Sequence, residues 1–259
     1  MEIAGSKVLV TGASSGIGAA LARMLADQGA TVALVARRED KLRQVLDACR
    51  ERAPGSKMWR ADLGDLALAE KVASEAWDAL GGLDVIVNNA AIPKVREVRR
   101  LSASDLEETL RINLLSPVRI IQTLLPRMLE QGSGTIVNVT SLGGRLGIMH
   151  ESAYCASKFA LTGFTESMFL DLHDTPLRIR LVIPGPFDTD IWDRPGSDPA
   201  VFKDEPKFPP EDCATGIIAA ITGDGFEHYV PDMKAVAEFK TSNIEQFLAG
   251  VAARAPRST

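Results

Sequence analysis

The stretch Lys7-Val8-Leu9-Val10-Thr11-Gly12-Ala13-Ser14-Ser15-Gly16-Ile17-Gly18 decides the fold. An apolar, β-branched run at 7–10 enters a glycine turn. An Ala/Leu-rich helical pattern follows over 16–28 and ends at Gly29. A strand, a turn and a helix N-terminus together form an anion site, because free backbone N–H groups and the positive end of the helix dipole face the same point. Glycine lets the chain bend and lets a ligand approach the backbone with no Cβ in the way. The order is G-x-x-x-G-x-G rather than G-x-G-x-x-G, and no Lys-Ser/Thr follows, so the turn is not a P-loop. It reads as a pyrophosphate cradle built from Gly12, Ser14, Ser15, Gly16, Ile17 and Gly18. Three glycines alone are equally compatible with an ordinary βα turn.

Outward from this turn, short apolar runs alternate with helical patterns. Strands are expected at 7–10, 31–36, 57–60, 83–88, 135–140, 178–183 and 227–230. Helices are expected at 16–28, 40–50, 65–80, 103–130, 152–172 and 211–222. The alternation predicts βαβ crossovers, hence an α/β fold: one Rossmann-like domain over residues 1–259, a doubly wound parallel sheet with helices on both faces. No repeat, low-complexity tract or linker divides the chain. The largest compositional break, 184–210, is dense in proline. A long irregular segment in a compact domain usually serves function, and Trp192, Phe202 and Phe208 point to a substrate lid over 186–210. The charged run VREVRR at 95–100 is expected to be a solvated loop.

Composition narrows the function classes. The chain has 259 residues, is 46% hydrophobic and 24% charged, and carries a net charge of −5. These values fit a globular protein and exclude a disordered one. An acidic balance argues against nucleic acid and against anionic membrane as partners. No apolar run approaches the roughly 18 residues of a membrane span, and the N-terminus does not resemble a signal peptide. Cys49, Cys155 and Cys213 are too scattered for a disulfide framework or a zinc site, so no metal is expected and a cytoplasmic location is.

The end of the second strand should meet the adenosine ribose of a dinucleotide. An acidic residue there selects NAD, and arginine selects NADP. Here the strand ends in Ala36, followed by Arg37 and Arg38. A neutral residue removes repulsion against a 2′-phosphate, and arginine grips it through a planar, charged fork. NADP(H) is therefore expected over NAD(H). Glu39 and Asp40 fit the first turn of the next helix.

Ser141 follows the fifth strand, at the carboxyl edge where open α/β sheets bind ligands. Tyr154 and Lys158 stand at i and i+4 of a helical stretch and so share a face. A nearby ammonium favours a phenolate, so Lys158 is expected to lower the Tyr154 pKa and make it a general acid or base. Taken alone, the spacing more commonly marks a packed tyrosine beside a solvated lysine.

Seven motifs now stand in order: TGASSGIG at 11–18, Asp62, NNA at 88–90, Asn113, Ser141, YCASK at 154–158 and PGPFDT at 184–189. Together they resemble the short-chain dehydrogenase/reductase family over residues 5–230. The resemblance implies Tyr154 as acid/base and Lys158 as the residue that tunes it and binds the nicotinamide ribose. It implies Ser141 as the donor to the substrate carbonyl and Asn113 as the holder of a relay water. Asp62 would contact adenine, Asn89 and Ala90 the adenosine ribose, and Thr189, with the backbone near Phe187, the nicotinamide carboxamide. Leu63, Pro184 and Gly185 complete the cofactor set, and Asn88 is expected to tie strands together. Ala91 departs from the family's usual glycine, for which a small local shift is expected.

The substrate wall is expected from Ser141, Leu142, Gly143, Met149, Tyr154, Phe187, Ile191 and Trp192, mostly apolar, with Arg145 and His150 more often solvated than polar partners. The expected function is NADP(H)-dependent interconversion of a carbonyl and an alcohol with a hydrophobic body. Two rivals remain. One is a non-catalytic NADP-binding sensor, which needs no complete Ser141–Tyr154–Lys158 set. The other is a 3-oxoacyl-carrier-protein reductase, whose relatives usually end in a VDGG-like segment where this chain has HYVPDMKAV. The family commonly pairs through the helices at 103–130 and 152–172, so a homodimer or homotetramer is expected.

Overall fold

Alternation along the strands sorts the core into two layers. In β1 (Lys7–Thr11), Val8 and Val10 face one side of the sheet and Leu9 the other. The computed structural model describes residues 1–193, 196–201 and 204–254. Its sheet adds β2 (Thr31–Ala36), β3 (Lys57–Arg60), β4 (Val85–Asn88), β5 (Gly134–Val139), β6 (Leu177–Pro184) and β7 (Glu227–Val230). All pairs are parallel, in the order β3-β2-β1-β4-β5-β6-β7. Leu9 stands opposite Ala33 on one side and Ile86 on the other.

On the Val8/Val10 face lie α1 (Gly16–Asp27), α2 (Glu39–Arg50) and α7 (Pro210–Thr222), contributing Leu21, Leu25, Leu42, Ile217 and Ile221. On the Leu9 face lie α3 (Leu66–Leu80), α5 (Ser116–Gln131) and α6 (Ser152–Asp171), contributing Val72, Trp77, Ile120, Leu124 and Met168. Both faces are covered, as a parallel sheet requires. The strand order reverses between β1 and β4, which opens a crevice at their carboxyl ends. Asn88 donates to Asn138 Oδ1 at 2.9 Å, the expected tie between β4 and β5.

Four features differ from the sequence reading. The helix expected at 103–130 is α4 (Ala103–Leu110), a π-helical turn at Arg111–Leu115, and then α5. Pro117 has no N–H to give the carbonyl four residues back, so the regular ladder fails where the π turn lies. Second, the tail after β7 forms α8 (Lys234–Ser242) and α9 (Ile244–Arg254). Third, the run at 95–100 is not simply solvated. Val95 is buried, and Arg96 and Arg100 reach Asp198 at 3.3 and 2.7 Å. They fasten the proline-dense segment to the body. Fourth, that segment folds on itself. Phe208 N donates to the Pro186 carbonyl and Asp188 N to the Phe208 carbonyl, while Trp192 Nε1 donates to the Phe187 carbonyl at 2.6 Å. Phe202 lies outside the described residues.

Candidate active site

The glycine turn is as tight as its sequence implies. Gly12 takes φ +69°, and a Cβ there would stand 2.8 Å from Ala90 Cα. A Cβ on Gly18 would stand 2.5 Å from the Gly12 carbonyl oxygen, a clash of backbone with side chain. Thr11 Oγ1 accepts from Asn89 N at 3.0 Å and Ala90 N at 3.1 Å, and Asn89 Nδ2 donates to the Thr11 carbonyl at 3.0 Å. Ser15, the N-cap of α1, makes no capping bond with its side chain. The first N–H groups of α1 therefore keep their capacity for an anion. Ala91 takes no positive φ; among the described residues only Lys94 and His150 do so without being glycine. Its methyl group thus adds no backbone strain where the family usually has glycine.

At one end of the site, β2 delivers Ala36, Arg37 and Arg38 to one cleft, with Lys41 from α2 and Asp62 and Leu63 from the loop after β3. Arg37 lies 3.9 Å from Asp62. Asp62 accepts from Gly64 N, while Asp65, not Asp62, caps α3 through Leu68 N. Arg38 bonds the Ser15 hydroxyl and reaches Asp190 at 2.9 Å; Lys41 reaches the same carboxylate at 3.1 Å. Arg38 first, then Lys41, hold the Asp190 carboxyl below its ordinary range. Asp190 begins a short 3-10 turn at Asp190–Asp193, so this cluster pins the proline-dense segment over the glycine turn.

At the opposite end, Ser141 leaves β5 with its Oγ accepting from Gly143 N at 3.1 Å. Tyr154 and Lys158 rise from the first turns of α6, both buried. Lys158 Nζ donates to the Val139 carbonyl at 2.9 Å and lies 5.8 Å from the Tyr154 ring centre. Burial raises the phenol well above its ordinary value; a hydrogen bond from Ser141 pulls the other way. Burial also pushes Lys158 down to about 7. The expected lowering of Tyr154 by Lys158 is therefore not present in this geometry. Desolvation opposes the charged form of both groups, and the ammonium meant to favour the phenolate is itself disfavoured.

One cleft of about 1080 Å³ brings together every residue expected for the cofactor, and also Ser141, Leu142, Tyr154, Phe187, Ile191 and Trp192. Three expected site residues do not line it. Asn113, in the π turn, turns its side chain to Ile92 and Ser157: it accepts from Ile92 N at 2.8 Å and donates to Ile92 O and Ser157 Oγ. Gly143 packs beneath the Tyr154 ring, which a Cβ would meet at 3.1 Å. Met149 is replaced at the wall by Leu146 and Ile148. Arg145 is also spent elsewhere, on Glu166 at 2.8 Å and on Glu227. Residues that sequence reasoning missed are Lys41, Glu151, Asp190 and the apolar cover from the C-terminal helices, Met233, Val236, Phe247 and Val251. Among the described residues no His/Cys/Asp/Glu cluster could hold a metal, and no helix is long and apolar enough to cross a membrane.

Comparison with known proteins agrees with this geometry. A family model described as short chain dehydrogenase matches residues 6–199. Ketoacyl reductase HetN of Nostoc sp. is 35% identical over 71% of this chain and 64% of its own length. An uncharacterized oxidoreductase of Thermotoga maritima is 34% identical over 71% of this chain and 73% of that protein. Among solved structures, a Burkholderia phymatum short chain dehydrogenase/reductase in complex with NAD superposes with a TM-score of 0.86. It is 25% identical and covers 95% of this chain and 96% of that one. A metagenomic short-chain oxidoreductase in complex with NADP gives a TM-score of 0.72 at 28% identity, over 88% and 96% of the two chains. The chain belongs to the short-chain dehydrogenase/reductase family and is an oxidoreductase of that family.

Proposed function

We propose that this protein interconverts a carbonyl and an alcohol of largely hydrophobic body, using NADP(H). The observation that carries the reading is the convergence of Ser141, Tyr154 and Lys158 at one end of a cleft whose other end is a glycine cradle too tight for a Cβ. The cradle fits a pyrophosphate through Gly12, Gly16, Gly18 and the open N-terminus of α1. When bound, the nicotinamide supplies or accepts the hydride. Tyr154 moves the proton at the substrate oxygen. Ser141 donates to that oxygen and steadies its developing charge. Lys158, held by the Val139 carbonyl beside the Tyr154 ring, binds the ribose in this reading. Asn113 holds the Ile92 backbone at the cleft margin and so acts here as a positioning residue. The described parts of 186–210 serve as lid, and Phe187, Ile191 and Trp192 with the α8–α9 cover keep water from the substrate.

NADP(H) preference rests on Ala36, Arg37 and Arg38, with Lys41 beside them. Arg38→Ala is expected to weaken NADPH binding about 10- to 150-fold, from the roughly 1.5–3 kcal/mol of a charge-assisted hydrogen bond, with NADH little affected. Asp190 competes for Arg38 and Lys41, so Asp190→Asn is expected to tighten NADPH a few-fold, the modest scale of exposed ion pairs. Fluorescence titration reads both. Comparable kcat/KM with the two cofactors in the unmodified enzyme would overturn the preference.

The second reading is a 3-oxoacyl-carrier-protein substrate, supported by relatives named ketoacyl reductase. The α8–α9 cover, in place of a glycine-rich ending, favours a free small ketone. A panel of aldehydes, ketones, alcohols and 3-oxoacyl thioesters, read by nicotinamide absorbance, decides between them. No turnover with any member would favour the NADP-binding sensor. The three cysteines are free and buried, in keeping with a reducing cytoplasm. Exposed Leu115, Leu129, Phe159, Phe169 and Leu170 on α5, α6 and the π turn support a homodimer or homotetramer. Light scattering at micromolar concentration is expected to show at least two chains, and a monomer would refute it.

A further inference from the structure

Glu151 stands one helical turn before Tyr154, as N-cap of α6, and its side chain makes no capping bond. It is only 5% exposed, and it lines the cleft among Leu142, Leu146 and Ile148. Its backbone is fixed: its N–H donates to the Ile148 carbonyl at 3.1 Å and its carbonyl accepts from Cys155 N at 2.8 Å. Among the described residues no hydrogen bond or ion pair takes up its carboxyl. Burial alone pushes that carboxyl up to about 7, and its charge is felt by Tyr154 and Cys155. Its oxygens are not among the fully enclosed side-chain atoms that lack a partner, so they keep contact with the open cleft, and a polar group left unbonded there still carries part of its desolvation cost. An apolar residue would serve packing better at this point. The carboxyl is therefore an acceptor held ready for something that enters the cleft.

We propose that Glu151 is a specificity residue that accepts a hydrogen bond from a hydroxyl or ammonium group on the substrate, a few bonds from the reacting carbon. The inference rests on the carbonyl–alcohol reading above and names the substrate class of that same site. The substrate is then an apolar ketone or alcohol bearing a second, donating group. Carbonyl compounds with a carboxylate or phosphate at that position are disfavoured, because they bring a second anion to an unpaired carboxyl.

The test uses acetophenone, α-hydroxyacetophenone and α-aminoacetophenone, with the β-substituted propiophenone homologues, NADPH and the full chain. In the unmodified enzyme the donor-bearing ketones are expected to exceed the plain ketone in kcat/KM by about tenfold or more, mainly through KM. Glu151→Leu is expected to erase that ratio. Glu151→Gln is expected to keep it for the hydroxyl, which an amide oxygen still accepts, and to lose it for the ammonium. NADPH titration shows that each variant is folded. If Glu151→Leu fails that check, the near-isosteric glutamine variant decides through its hydroxyl–ammonium split. Turnover of all these ketones with the same ratios in every variant overturns the inference and leaves the oxidoreductase reading standing. No turnover of any carbonyl by the unmodified enzyme overturns both.

Discussion

Tyr154→Phe is expected to lower kcat by at least about 10²–10⁴, the range for a lost general acid or base, while NADPH binding stays near normal. The substitution keeps the ring, which packs over Gly143 and lies near Lys158, and removes only the phenolic oxygen. That oxygen is the one to which Ser141 hydrogen-bonds. The loss should fall on chemistry rather than binding, because the glycine cradle and the Arg37–Arg38 cluster lie at the far end of the cleft. Lys158→Ala should harm both steps, since its side chain lies 5.8 Å from the Tyr154 ring centre and, in the proposed function, also binds the nicotinamide ribose. Single-turnover absorbance with one accepted ketone, plus a fluorescence titration with NADPH, separates the two effects. A Tyr154→Phe protein that binds NADPH and keeps full activity would remove the tyrosine from the mechanism.

What could be foreseen from sequence, and what could not, divides along a physical line. Local patterns carried the sheet: Val8, Leu9 and Val10 alternate between two layers that helices must cover, and Gly12 and Gly18 occupy positions where a Cβ meets backbone. The Tyr154–Lys158 spacing fixed a shared helix face for the same reason. Tertiary pairings left no comparable trace. Arg96 and Arg100 of the run at 95–100 read as solvated because their partner, Asp198, lies 102 and 98 residues away. Asp190 reaches Arg38 and Lys41 over 152 and 149 residues. The sequence reading names no helix after 211–222; in α8 and α9, Val236, Phe247 and Val251 line a cleft rather than a packed core. Asn113 was placed at the chemistry by resemblance, whereas its neighbours show it bonded to Ile92 and Ser157. Glu151, a carboxylate between His150 and the start of an apolar helix, resembles an ordinary surface residue in sequence, and its burial is seen only in three dimensions.

The cofactor-free protein is expected to be weakest, as far as Glu151 and Lys158 are concerned, near pH 7. Burial raises Glu151 from 4.5 to about 7. Between those values the folded state binds more protons than the unfolded one, so this contribution is full below 4.5 and is lost as pH rises through 7. Burial lowers Lys158 from 10.5 to about 7. Here the unfolded state binds more protons, so stability rises with pH from 7 towards 10.5. The two slopes oppose each other and meet at neutrality, where both buried groups are about half charged. Each tenfold change in proton affinity on folding corresponds to about 1.4 kcal/mol. Each burial therefore costs on the order of a few kcal/mol, and 1 kcal/mol is worth about 2–4 °C in a chain of this size. Glu151→Gln should flatten the lower limb and Lys158→Met the upper one, each raising the Tm of the cofactor-free protein at pH 7 by several degrees. Calorimetry of the three proteins from pH 4.5 to 10 reads this directly. A Lys158→Met protein less stable than the parent by the same amount at every pH would show that the lysine is not held against its charge. Cofactor should narrow the difference at Lys158, and a donor-bearing substrate the difference at Glu151. Both groups are destabilising only while their intended partners are absent, and that is the condition in which a binding site stores its selectivity.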